Sequence, residues 1–77
     1  MPKTHCFRRV DATRNMARFY LLSLEPTLFG EIAVLRHWGR IGRRGRQALS
    51  LHATMEEAEE ILTRQIARRL KRGYSRA

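Results

Sequence analysis

Arg36-His37-Trp38-Gly39-Arg40-Ile41-Gly42-Arg43-Arg44-Gly45-Arg46 is the stretch on which the reading of this chain turns. Its eleven residues hold five arginines, three glycines and the only tryptophan, with no acid among them. The apolar run that precedes it predicts a strand over Glu31–Trp38. Alternation then separates two faces, with Ala33, Leu35, Gly39 and Ile41 on one and Arg36, Trp38 and Arg40 on the other. Gly42-Arg43-Arg44-Gly45 supplies the positive dihedrals of a tight hairpin turn, and Arg46–His52 is the expected return strand. If Ile41 pairs with Arg46, Trp38 faces Leu49 and Arg36 faces Leu51. Either the arginine face is then partly buried, or a glycine bulge shifts the register by one residue, and the spacing leaves both open.

Working outward from the hairpin, Ala17–Leu24 is aromatic and apolar and short, which predicts a central strand. Glu25–Gly30, with Pro26 and Gly30, is its connection to the next strand. His5–Val10 reads as an edge strand blunted by Arg8 and Arg9, and Asp11–Asn15 has turn chemistry. On the other side of the hairpin, Thr54 followed by Glu57 is a capping-box signature. Ala58, Ile61, Leu62, Ile66 and Leu70 then form an apolar stripe at helical spacing, and Gly73 ends the helix. Glu56, Glu57, Glu59 and Glu60 crowd its start, while Arg64, Arg68, Arg69, Lys71 and Arg72 follow, a gradient that suits the helix dipole. The expected fold is α+β: a small antiparallel sheet of about four strands packed against one long C-terminal α-helix, as a single domain over 1–77.

At 77 residues, 43% hydrophobic and 30% charged, the chain has the composition of one small globular domain rather than a disordered tail. The net charge of +9 points to a polyanionic partner, and 14 of the 16 basic residues are arginine. Arginine pairs with phosphate oxygens in a fork and stacks on bases, so nucleic acid ranks ahead of an anionic membrane surface. The apolar stripe of the helix is needed for the core and its first half is acidic, so no membrane role is expected. One cysteine, Cys6, forms no internal disulfide, and with Met1 in place and no leader pattern the expected location is cytoplasmic.

Catalytic constellations are absent from the pattern. Ser23 and Ser50 lack a glycine elbow, and Cys6 has His5 beside it but no third orienting group. His5, His37, His52 and Cys6 match no standard zinc spacing, and Gly39, Gly42 and Gly45 precede a strand rather than the helix a nucleotide fingerprint requires. No enzyme activity, cofactor or metal is expected. Trp38 reads equally as a core residue and as a stacking platform for a sugar or base.

Asp11 and Asn15 before Phe19-Tyr20, then Trp38-Gly39-Arg40-Ile41-Gly42 with Gly45 after it, then a helix closing on Gly73-Tyr74: in this order and spacing the chain resembles the WGR domain, from about Phe7 to Tyr74. The resemblance implies a small antiparallel sheet on one long helix. It also implies DNA binding, with Trp38 against the sugar at a strand end and Arg40 helping to hold the DNA. Ala17 stands where relatives in the poly(ADP-ribose) polymerases often place polar residues near a 5′ phosphate. The expected function is a non-enzymatic nucleic-acid-binding module, DNA ahead of RNA, acting through phosphate and sugar contacts. Its expected binding residues are Trp38, Gly39, Arg40, Arg36, Arg43, Arg44, Arg46, Lys71, Arg72 and Tyr74. The alternative is a protein-interaction adaptor that docks an acidic partner on the same basic surface.

Overall fold

The computed structural model describes residues 3–77. Four strands follow one another as antiparallel neighbours: β1 (Lys3–Asp11), β2 (Met16–Pro26), β3 (Ile32–Arg40) and β4 (Arg46–His52). The helix α1 (Met55–Lys71) comes next, and a two-residue β5 (Ser75–Arg76) returns to the outer edge of β1. The sheet order is β4-β3-β2-β1-β5, so the α+β class is as expected, with five strands in place of about four.

Each connection follows from local chemistry. Between β1 and β2, Asp11 caps a short 3-10 turn (Ala12–Arg14) and Asn15 closes it in the left-handed region at φ 50°. The Thr13 hydroxyl donates to Asp11 at 2.6 Å and holds its carboxyl below the usual carboxylate range. At the start of α1, Thr54 accepts from the Glu57 N–H at 3.2 Å, the interaction expected from the capping-box spacing.

The core lies between α1 and one face of the sheet. Phe7, Leu22 and Val34 are fully buried there, joined by Tyr20, Leu24, Ile32, Ala58, Leu62 and Tyr74. Each fully buried side chain of this size contributes about 1.5–3 kcal/mol of transfer free energy, so this single layer accounts for most of the driving force. The helix covers only one face. On the other face Ala33 and Ser23 are shielded by their neighbours, while Leu49 and Leu51 stay more than half exposed.

The β3–β4 register corrects the sequence expectation. Trp38 pairs with Arg46 and Arg36 with Ala48, three residues away from the partners Leu49 and Leu51. A connection over Ile41–Gly45, longer than a tight two-residue turn, makes the difference. A shift by an odd number exchanges the faces of β4. Leu49 and Leu51 therefore lie with Leu35 on the open side, and Arg36, Trp38 and Arg40 share the helix-covered face with Val34. The structure follows neither alternative as stated: the arginine face is partly buried but without Leu49 and Leu51 on it, and the register moves by three through the longer connection rather than by one through a bulge.

Candidate nucleic-acid interface

The hairpin is held by close backbone approach. A Cβ on Gly39 would lie 2.7 Å from the Gly45 Cα, and one on Gly45, which sits at φ 76°, would collide with the Trp38 carbonyl. Glycine at these two positions lets the strand and the turn touch. Phe19, opposite Gly39 on β2, covers the gap from the open face and meets the His37 ring edge-on at 5.0 Å. His37 Nε2–H donates to the Arg44 carbonyl at 2.6 Å, and the Ile41 N–H to the Ala17 carbonyl at 2.9 Å. The turn is thus fixed from behind, and Arg43 and Arg44 project from it exposed.

On the helix side Trp38 stacks on Tyr20 at 6.0 Å between centroids and 21° between planes. The Arg36 guanidinium lies 5.8 Å from the indole centroid. Trp38 is half-buried and packs against the core cluster, so the two readings of this residue merge: part of the ring is core and part is open surface. Arg40, at the end of β3, is exposed and donates to the Asn15 carbonyl at 3.1 Å and to its Oδ1 at 3.3 Å. The left-handed turn at Asn15 aims that carbonyl at the strand end.

The C-terminal end of α1 supplies the opposite wall. Gly73, at φ 90°, donates to the Leu70 carbonyl at 3.2 Å, and Tyr74 donates to the Arg69 carbonyl at 3.0 Å. This is a Schellman closure, which folds Tyr74 back over the last turn. Arg69 is 9% exposed, with its guanidinium 4.4 Å from the Tyr20 ring centroid and 5.5 Å from that of Tyr74. The apolar stripe expected to end on Leu70 ends on Arg69 instead, and Leu70 is 48% exposed. At about 100° per residue, Ala58, Leu62 and Arg69 fall within roughly 40° of one another, and Leu70 lies about 100° past Arg69.

Trp38, Gly39 and Arg40 from the hairpin, Arg18 and Tyr20 from β2, and Arg69, Arg72 and Tyr74 from the helix end enclose a cavity of about 390 Å³. No carboxylate lines it. The ion pairs among the described residues, Asp11–Arg14 and Glu60–Arg64, lie elsewhere, and the Arg69 Nε is buried without a hydrogen-bond partner. Four guanidinium groups around one space repel one another, a repulsion that an entering anion would relieve. The aromatic rings beside them offer flat apolar surface to a sugar or a base.

Of the residues expected from the sequence, Trp38, Gly39, Arg40, Arg72 and Tyr74 meet at this cavity. Arg36 lies against Trp38, Arg46 is its exposed partner on β4, and Arg43, Arg44 and Lys71 are exposed outside the cavity. Arg18, Tyr20 and Arg69 were missed. Pairing Arg18 with Arg40 and Tyr20 with Trp38 across two adjacent strands would have found the first two, and the helical angle finds Arg69. Among the described residues no group of three or more His, Cys, Asp and Glu converges as a metal site would require. Among the described residues no helix is long and apolar enough to cross a membrane.

A small antiparallel sheet, one covering helix and an arginine-lined aromatic cavity at their shared end define a basic α+β module. The family model for the WGR domain matches residues 3–77, and the chain belongs to that family, whose members are in general nucleic-acid-binding modules. It is also similar to the uncharacterized protein y4dW of Sinorhizobium fredii, with 44% identity over 66 residues. The match covers 86% of this chain and 32% of that protein, so the chain spans about a third of the relative's length.

Proposed function

We propose that this chain is a non-enzymatic module that binds nucleic acid through phosphate and sugar contacts at the Trp38 cavity. The observation that carries the reading is the convergence of Arg18, Arg40, Arg69 and Arg72 on Trp38 with no carboxylate among them. Guanidinium forks suit phosphate oxygens, and Trp38, braced from behind by Tyr20, suits the face of a sugar or base. Arg43, Arg44 and Arg46 extend the basic surface along the hairpin, and Lys71 extends it along the helix. These are backbone-positioning contacts and carry little sequence information, so weak sequence preference is expected. DNA is placed ahead of RNA because of the family resemblance.

The aromatic walls favour this reading over a surface that docks an acidic protein, since a carboxylate partner gains nothing from an indole face. Titration of labelled duplex into the purified chain, with competition by nicked duplex, single strands and duplex RNA, tests the proposal. Binding that weakens steeply with salt supports it. Absence of affinity for every nucleic acid, with recovery of one stoichiometric protein partner from nuclease-treated lysate, replaces it with the adaptor.

A further inference from the structure

The two outer edges of the sheet differ. The β1 edge is partly closed, by pairing of Phe7 with Arg76 and of Arg8 with Ser75 and by the Ala77 N–H donating to the Cys6 carbonyl at 2.9 Å. Arg8 and Arg9 lie on the same strand. From Gln47 on, the β4 edge has none of these protections, its one charged residue being Arg46 at the strand start. Gln47-Ala48-Leu49-Ser50-Leu51-His52 is an unbroken run without an acid, lysine, arginine, proline or glycine. Its pairing with β3 proceeds in step from His52 to Arg46 without a bulge. Leu49 is 62% exposed and Leu51 51%. Charges, prolines, bulges and covering segments are the devices that keep an edge from recruiting another strand, and their absence here coincides with exposed leucines.

We propose that β4 pairs with β4 of a second copy of this chain, antiparallel about a two-fold axis at Leu49, joining two sheets into one. The run is self-complementary in that register. Leu49 meets its own counterpart, Gln47 lies opposite Leu51, Ala48 opposite Ser50 and Arg46 opposite His52, so no two arginines face each other although each chain carries +9. The helices permit it. α1 packs over β2, β3 and β4, and the two β3 strands would stand three strand steps apart, roughly 14 Å. That exceeds the ~8–10 Å of packed helices, so the two do not collide. With the β1 edge partly covered by β5 and carrying Arg8 and Arg9, the far side is the poorer strand template, and the association is expected to stop at two. Both cavities then lie on one face at opposite ends of the joined sheet. The pairing is independent of what the cavity binds.

Salt separates the two. Screening relieves repulsion between two +9 chains, so dimerisation strengthens as salt rises, whereas phosphate contacts weaken. Sedimentation equilibrium of the purified chain without nucleic acid, over about two decades of concentration at low and high salt, is the test. A monomer–dimer equilibrium that moves toward dimer with salt is expected. Leu49→Lys puts like charges directly opposite at the axis and should raise the dimer dissociation constant at least about tenfold, with a melting temperature equal to the parent's at concentrations where both are monomers. Leu51→Lys is the second variant, and amide exchange along Gln47–His52 of the parent should slow as concentration rises. A species of monomer mass at every concentration and salt, or a dimer that both variants leave intact, overturns the proposal.

Discussion

Arg69 is the residue on which the proposed role of the cavity bears most directly. It is nine-tenths buried with no carboxylate in the cavity lining, its guanidinium lies against the faces of Tyr20 and Tyr74, and its Nε is buried without a hydrogen-bond partner. An apolar side chain of similar volume in that place is expected to be neutral or stabilising. Arg69→Leu should therefore keep or raise the melting temperature and weaken nucleic-acid binding by about tenfold or more, on the scale of a lost charged hydrogen bond. A large loss of stability with intact binding would make Arg69 a packing residue. Trp38 belongs to both roles, so Trp38→Ala should lose folding stability on the order of 2–4 kcal/mol together with binding. Trp38→Phe separates them: calorimetry should find most of the stability kept, while a binding titration shows a weaker complex. Trp38, Arg40 and Tyr74 stood out in the sequence because aromatic and basic residues beside glycines are rare in a core. Arg69 did not, since one arginine among five basic residues on a helix looks like solvated surface until the buried face is located by angle.

Among the elements, the β3–β4 hairpin and the helix ends set the geometry of the site. Gly42 and Gly45 both have positive φ, but only Gly45 has backbone in the way of a side chain. Gly42→Ala should cost about 1 kcal/mol, the usual left-handed penalty, and Gly45→Ala clearly more, with binding lost as the turn shifts. Equal melting temperatures for the two would contradict the close-approach account. Thr54→Ala should lower stability by about 1 kcal/mol without touching the cavity, a difference that urea unfolding resolves. In the β1–β2 turn, the depressed Asp11 pKa contributes stability that is present above the ordinary carboxylate range and fades as pH falls through the depressed value. Thr13→Ala should move the Asp11 titration upward in an NMR pH series. The strands, the helix and its cap were legible because period, caps and glycines all agree on them. The register was not, because a five-residue connection and a tight turn use the same glycines, and only packing against the helix selects between them.

Across the whole molecule, charge is sorted by position. Glu56, Glu57, Glu59 and Glu60 sit at the start of α1, which follows the His52 end of β4, and His52 pairs beside Ile32 at the far end of β3 from Trp38. Arg18, Arg40, Arg69 and Arg72 gather at the other end, in a molecule 46 Å long. The resulting field turns the cavity end toward a polyanion. Composition foretold the sign of this field, and the helical gradient of charge foretold part of its direction. The most direct test of the central claim is the salt dependence of duplex binding by the parent chain and by Arg69→Leu. If phosphates enter a site ringed by four arginines, log affinity should fall linearly with log salt with a slope of about −3 to −4, and Arg69→Leu should flatten that slope by about one. A flat line for the parent, or an unchanged slope in the variant, would contradict the account.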